Sequence, residues 1–172
     1  MNPDTQQLLD GIVGKLQRSV RAGECPAMAA LGGSGPLTLS DYDYLRDDEA
    51  AERFEQRAAA KVRETGATRW VIAVPQVWVI APGVISVRAV SNLPLRPGES
   101  EAITWMAFDL ADGVDYGRVP FTRRPRGEPV FGDIEILTRP ARPAPGMPGY
   151  TMLRLVVGDG TAPDSGEPDS IG

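Results

Sequence analysis

The sequence predicts an α+β fold in which two N-terminal helices pack on a mostly antiparallel sheet of about five or six strands. Apolar residues recur at helical spacing up to residue 66, and beyond it short runs rich in β-branched and aromatic residues are separated by turn residues. The chain has 172 residues and is 42% hydrophobic, which is enough for one ordinary core. We therefore expect one domain over residues 1–157, helical over 1–66 and sheet over 67–157. An acidic tail over 158–172 is expected to be disordered.

The first predicted helix begins at Asn2 and ends at Gly23. Asn2 can cap the helix, and Pro3 and Asp4 suit its first turn. Its apolar stripe consists of Leu8, Ile12, Leu16 and Val20. Because such a stripe must be buried, either on the sheet of its own chain or against another chain, we assign it as a candidate interaction surface.

The second predicted helix follows a loop. Residues 24–39 carry glycines and prolines without a sustained period, which predicts a connection between two helices. Ser40 and Asp43 have the spacing of a capping box, so a helix is expected from there to about Thr65, with Gly66 ending it. Phe54 lies on the apolar face of this helix and is expected in the core.

The strands are predicted after Gly66. Residues 69–74 and 76–80 pair with 84–90 in a hairpin, and Pro75, which has no N–H, implies a bulge or an edge. Further strands are expected at 102–110, 114–122, 130–137 and 150–157. Strand 102–110 is apolar on both faces, and Trp105 is expected in the core. Helices that pack on one face of the sheet would leave its other apolar face exposed. We therefore expect loops, a curled sheet or another subunit to cover that second face.

Composition limits the classes of function. A formal net charge of −5 argues against nucleic-acid binding through a broadly basic surface. The chain has no apolar run long enough to span a bilayer, so we expect no membrane association and a cytoplasmic location. The single cysteine, Cys25, cannot form an internal disulfide, which is typical of a reducing compartment.

The residues that most often carry chemistry are few. The chain contains no histidine, which excludes histidine-based triads, metal ligands and proton shuttles. It also lacks a Walker-type loop, a dinucleotide fingerprint and a calcium-binding loop, so we expect no cofactor and no metal. Capping accounts for the acidic residues at 41–49, and Cys25 has no histidine to activate it.

A candidate ligand site lies around the predicted turn and hairpin at 109–126. Its residues are Asp109, Asp115, Tyr116, Arg118, Arg123, Arg124 and Arg126. Carboxylates can do acid–base work, and clustered guanidinium groups bind anions or acidic surfaces. The competing interpretation is turn chemistry at Asp112 and Gly113 together with arginines on a solvated hairpin tip.

The sequence favours a non-enzymatic protein-interaction or assembly protein, bound to a protein partner or to itself. The reasons are the missing catalytic residue types, the sheet that is apolar on both faces and the amphipathic first helix. The alternative is an enzyme or anionic-ligand-binding domain with a histidine-free Asp, Tyr and Arg site near residues 109–126, so enzymatic activity stays open. A third hypothesis, nucleic-acid binding through the arginine loop, predicts strong salt dependence.

Overall fold

The computed structural model describes residues 1–33, 35–81, 84–89, 94–123, 127–137 and 143–158. The helices of this part of the chain are α1 (Pro3–Arg21), α2 (Asp48–Thr65) and α3 (Tyr150–Val157). Its strands are β1 (Ala27–Gly32), β2 (Pro36–Asp41), β3 (Arg69–Ala81), β4 (Val84–Ala89), β5 (Glu99–Asp109), β6 (Gly113–Thr122), β7 (Val130–Phe131) and β8 (Glu135–Ile136).

The described strands form one antiparallel sheet in the order β2-β1-β3-β5-β6-β7. Strand β4 pairs with the far half of β3, and β8 pairs with β6 beside β7. The class predicted from the sequence, α+β with an antiparallel sheet and a helix at the N-terminus, is confirmed. The expected count of five or six strands was too low, since eight are described.

Helices cover both faces of the sheet, so the expectation that loops, a curled sheet or another subunit cover the second face was wrong. On one face α1 packs its apolar stripe on Val71, Ile103 and Trp105. On the other, α2 and α3 contribute Phe54 and Met152 to a second cluster, which includes the inward side chains of β1, β3 and β5. Phe54 and Trp105 are both buried, as predicted. The two N-terminal helices therefore lie on opposite faces of the sheet.

The segment predicted as a loop at 24–39 contains the β1–β2 hairpin instead. Ala27, Ala29 and Ala30 are buried in β1, whose two faces lie under α1 and α2. Such a run has neither β-branched residues nor polar alternation, so it carries no strand signal of its own. Close packing also explains Gly32, where a Cβ would lie 2.5 Å from the Arg69 side chain.

The start of α2 was also predicted wrongly. The helix begins at Asp48, and the Asp47 side chain caps it by accepting a hydrogen bond from the Ala50 N–H at 2.7 Å. Ser40 belongs to β2, where it pairs with Met28 of β1. The end of α2 agrees with the prediction, since Gly66 adopts the left-handed conformation there with a φ of 63°.

The two C-terminal strand predictions need correction. Residues 130–137 form two separate pairs, β7 and β8, instead of one strand. Residues 150–157 form the helix α3, because a short apolar run is compatible with either structure and here packs on α2. The predicted tail lies outside the described residues from 159 onward.

Strand β3 runs through Pro75 without interruption. On one side β1 pairs with residues 69–73 and β4 with residues 76–81, so Val74 and Pro75 lie between the ends of two strands. A proline is tolerated there because no ladder donor is needed at a local edge. Among the described residues this position is a local edge, which agrees with one of the two alternatives predicted for Pro75, a bulge or an edge.

Candidate functional site

A cavity of about 570 Å³ lies between α2, α3 and the sheet. We refer to it as the α2–α3 cavity. Its walls come from residues 44–48 and the first two turns of α2, from residues 145–147 and α3, and from Gln76 and Val87 on the sheet. Pockets that bind small molecules typically have volumes of about 300–1,000 Å³, so its size is suitable for a ligand.

Gln76 is the polar residue that the sheet contributes to this cavity. The side chains of Trp70, Ile72 and Val74 face α2 along β3, and strand alternation places Gln76 on the same face. Gln76 is only 6% exposed, and its Oε1 has no hydrogen-bond partner in the described part of the chain. Leaving a buried acceptor unpaired costs about 1–3 kcal/mol, so Gln76 is not explained by the stability of the fold.

Glu55 is a second buried polar group on the cavity, and its oxygens are occupied. Oε1 accepts hydrogen bonds from the Tyr44 hydroxyl at 2.7 Å and from the Gly149 N–H at 2.9 Å. Oε2 accepts one from the Met152 N–H at 3.0 Å. Because Gly149 has no side chain with which to cap α3, Glu55 of α2 supplies the cap from another element. This carboxylate fixes α3 to α2.

Burial determines the ionisation of Glu55 and Tyr44. Desolvation raises the pKa of Glu55 above its ordinary value, while hydrogen bonds from the Tyr44 hydroxyl and from backbone N–H groups act in the opposite direction. Desolvation also raises the pKa of Tyr44, and the nearby Glu55 adds to the increase. The Tyr44 hydroxyl therefore stays protonated and acts as a donor.

Charged side chains line the cavity in unequal numbers. Its carboxylates belong to Asp47, Asp48, Glu52 and Glu55, and its guanidinium groups to Arg46 and Arg154. Arg46 pairs with Asp47 at 2.9 Å and with Asp43 at 3.6 Å, and its hydrogen bond lowers the pKa of Asp47. The Arg154 guanidinium lies 5.8 Å from the centre of the Tyr150 ring. Both cations of the cavity thus have partners within the chain.

A second depression, of about 860 Å³, lies between α1 and the β1–β2 hairpin. We refer to it as the α1–β2 groove. Leu8 and Gly11 of α1 form part of one wall, and at Gly11 nothing lies within 4 Å of the position that a Cβ would occupy. Leu37 and Thr38 of β2 form part of the other. β2 is the outermost strand on this side, and no described strand pairs with its free edge.

The residues predicted as a ligand site at 109–126 do not meet in one place. Asp109 and Asp115 lie on the α1 face, whereas Tyr116 and Arg118 lie on the α2 face, because neighbouring residues of β6 point to opposite sides. Arg123 lies beside Glu101, and Arg124 and Arg126 fall outside the described residues. Their role in ligand binding stays a prediction.

Asp109 has a structural explanation. Its Oδ2 accepts hydrogen bonds from the Thr5 hydroxyl and from Arg69 Nε, both at 3.1 Å, and its Oδ1 accepts one from the Ala111 N–H at 2.8 Å. A side-chain hydrogen bond from Asn2 contributes most to lowering the pKa of Asp109 to about 2. Asp109 thus connects the start of α1 to β3 and β5.

Asp115 and Arg118 have partners on their own faces. Asp115 lies 3.2 Å from the amino group of Met1. Arg118 donates from Nε to Glu135 Oε2 at 2.6 Å, and its guanidinium lies 5.2 Å from the centre of the Trp78 ring. These contacts join β6 to its neighbours and use the charges that were predicted for a ligand.

Arg123 is tied to the sheet and is not part of a solvated tip. Its Nε donates to Glu101 Oε1 at 2.8 Å, and Glu101 is only 5% exposed. Glu101 also acts on Cys25, although burial is the main effect that raises the pKa of that thiol. A raised pKa leaves less of the reactive thiolate at neutral pH.

The predicted interaction stripe covers the sheet of its own chain. Ile12, Leu16 and Val20 are buried against that sheet, and Leu8 is partly buried where α1 borders the α1–β2 groove. The stripe can meet another chain only if α1 leaves the sheet. Its role as an interaction surface stays a prediction, and Leu8 is the member nearest to solvent.

No helix in the described part of the chain is long and apolar enough to cross a membrane. Within the same residues, no group of three or more cysteine, aspartate or glutamate side chains is placed to hold a metal ion. Neither a membrane span nor a metal centre therefore enters the argument for function.

The sequence contained weak signals for both residues of the cavity. Gln76 interrupts the apolar series of inward residues in β3, directly after Pro75. Glu55 lies one turn from Ala51 and Ala58, and thus borders the apolar face of α2. A polar residue inside an apolar pattern is the only sign of such a site before the fold is known.

No protein-family model matches the chain, and no curated protein and no solved structure matches it.

Proposed function

We propose that this protein binds a small polar molecule in the α2–α3 cavity. The observation that carries the proposal is Gln76, whose carboxamide oxygen is buried beside a cavity and has no hydrogen-bond partner among the residues that the structure describes. A ligand that donates an N–H or O–H group would supply the missing bond. The terminal torsion of a glutamine is soft, so a small rotation can turn this oxygen toward a ligand.

Binding fits the cavity better than catalysis does. Histidine is the side chain that most often acts as general base, and the chain has none. The buried carboxylate of Glu55 already accepts hydrogen bonds from Tyr44 and from the start of α3. It is therefore occupied in holding the wall of the cavity, which suits recognition of a ligand.

Replacing Gln76 by leucine tests this function through two measurements. We expect Gln76→Leu to abolish ligand binding and also to raise the melting temperature, because an apolar side chain of similar size removes an unpaired polar group. Binding is followed in amide NMR spectra of the full chain, with simple amines, alcohols, amides and carboxylates added singly. Ligand-induced shifts are expected at Ala51, Gln76 and Thr151, which line the cavity.

The matched control is Gln7→Leu, which makes the same change on the exposed surface of α1, on the other face of the sheet. It should alter neither the shifts nor the melting temperature. A fall in stability for Gln76→Leu would mean that Gln76 serves the fold. Absence of shifts for every compound would remove the proposed function.

We propose as a second candidate that two copies of the chain assemble through β2. The observation that favours it is the open outer edge of β2 beside the α1–β2 groove. In an antiparallel pair of such edges, Leu37 and Leu39 would meet the same residues of the second copy, since both point to one side. Unpaired edge strands readily accept a further strand.

A lysine on the edge tests the assembly. We expect the mass of the wild-type chain, measured by light scattering, to rise with concentration to that of a dimer, and Thr38→Lys to prevent the rise. Gln56→Lys adds the same charge on the exposed surface of α2 and should leave the dimer intact. A wild-type mass that stays monomeric at every concentration would exclude this candidate.

A further inference from the structure

An anion site needs free donors, whereas most donors near the α2–α3 cavity already have partners within the chain. An anion needs cations or N–H donors, but Arg46 pairs with Asp43 and Asp47, and Glu55 accepts hydrogen bonds from the N–H groups at the start of α3. The donors near the cavity are therefore largely engaged within the chain.

Acceptors remain in excess. Acidic side chains that line the cavity outnumber the basic ones by four to two, and three of the four, Asp47, Asp48 and Glu52, lie at its exposed rim. Asp48 forms no ion pair within the described residues, and Glu52 accepts only a long hydrogen bond, 3.3 Å, from Gln56. With the unpaired oxygen of Gln76, these groups form a set of acceptors without matching donors.

The remaining wall is apolar. Leu45, Ala51, Val87 and Met147 line the cavity between the charged groups. These side chains can contact the hydrocarbon part of a ligand but offer no hydrogen bonds. A complementary ligand would combine a donor-rich charged end with a short aliphatic body.

We infer that the ligand of the α2–α3 cavity is a small aliphatic cation, with an ammonium or guanidinium group directed at Gln76 and the carboxylates. This inference rests on the proposed function and adds the chemical class of the ligand. The cationic end donates to the Gln76 oxygen and is attracted by Asp48 and Glu52, while the aliphatic part contacts Leu45 and Met147.

Three probes with one carbon skeleton separate charge from size. Butylammonium, butan-1-ol and butyrate are titrated separately into the isotope-labelled full chain, and the side-chain amide signal of Gln76 is followed by NMR. Butylammonium is expected to shift that signal at the lowest concentration, and butyrate to shift it least. Added salt should weaken the butylammonium binding because it screens the carboxylates.

Two variants test which side chains attract the positive charge of the ligand. Gln76→Glu keeps the size of the side chain and adds a charge, so it should tighten butylammonium binding on the order of tenfold. Glu52→Gln, at the exposed rim, should weaken it by about two- to fivefold. If Gln76→Glu does not fold, Glu52→Gln still decides the result, since removal of an exposed charge leaves the fold intact.

The outcomes distinguish this inference from the proposed function. Binding of butyrate or butan-1-ol that requires Gln76, without binding of butylammonium, would keep the function and overturn the class of ligand. No shift with any probe would remove both. Butylammonium binding that survives Gln76→Leu unchanged would show general attraction to surface acids and would overturn the inference.

Discussion

On the face covered by α1, the buried carboxylate of Asp109 lies next to the guanidinium of Arg69, whereas on the opposite face the buried carboxylate of Glu55 has only neutral donors around it in the described residues. A hydrogen bond from Asn2 contributes most to lowering the pKa of Asp109, and Arg69 adds a smaller effect, whereas at Glu55 desolvation outweighs the hydrogen bonds that favour ionisation. In the described residues each face also has a buried indole Nε1 without an acceptor, from Trp105 on the α1 face and from Trp70 on the α2 face. The unpaired acceptor, the oxygen of Gln76, lies on the α2 face beside a cavity and leaves capacity for a ligand.

Removal of Trp105 from the α1 face should have the largest effect on stability. Trp105→Ala is expected to cost about 3–5 kcal/mol, because the side chain is fully buried. Trp105→Phe should cost much less, since the indole Nε1 has no hydrogen-bond partner in the described part of the chain and its loss removes an unpaired donor. Chemical denaturation measures both. Equal losses for the two variants would show that the indole donor is satisfied in solution.

On the α2 face, loss of Glu55 should act mainly on α3. Glu55→Leu leaves the Tyr44 hydroxyl and the N–H groups of Gly149 and Met152 without their acceptor, which should cost about 3 kcal/mol in total. Hydrogen exchange should accelerate in α3 and remain slow in β5. Uniform acceleration over the whole sheet would contradict a local role for Glu55.

The two buried acids should respond to pH in opposite directions. Asp109 has a lowered pKa, so its stabilising contribution is complete above its ordinary value of 3.8 and is lost as pH falls to about 2. Glu55 has a raised pKa, so its contribution is complete below its ordinary value of 4.5 and is lost as pH rises through the raised value. When the free energy of unfolding is measured against pH, Asp109→Asn should abolish the loss of stability at low pH. Glu55→Gln should abolish the loss of stability as pH rises. If both variants change the stability in the same pH range, the contrast between the two faces is wrong.

The smallest expected effects compare a buried ion pair with an exposed one. Arg123→Ala should cost about 1–2 kcal/mol, because it leaves the buried Glu101 without this partner. Arg53→Ala should cost at most about 0.5 kcal/mol, since the Arg53 and Glu49 side chains are 47% and 82% exposed. Equal costs in denaturation experiments would show that Glu101 is hydrated in solution.

Elements with local signals could be predicted from the sequence. The cap at Asn2, the left-handed Gly66 and the edge at Pro75 depend on residues a few positions away, and all three were predicted. Strand β1 was missed because its alanines carry no strand signal of their own. They lie in a strand that packs under α1 on one face of the sheet and under α2 on the other. Its structure depends on contacts that no local pattern records.

The candidate site was less predictable than the fold. The cavity joins the start of α2, the middle of β3 and a helix near the C-terminus, which are far apart in the sequence. The clustering of charges at 109–126 suggested a site, but strand alternation sends its members to opposite faces. Adjacency in the sequence was therefore a poor guide to adjacency in space.

The capping of α3 by Glu55 has a consequence for the order of folding. Glu55 and Gly149 are 94 residues apart in the chain, and α3 has eight residues and no side-chain cap of its own. So short a helix does not persist alone in water, and we expect it to form only after α2 has docked on the sheet. The α2–α3 cavity is then completed in the last step of folding. We expect detachment of α3 to come first in unfolding, so a ligand that binds in the cavity should slow this step more than any later one.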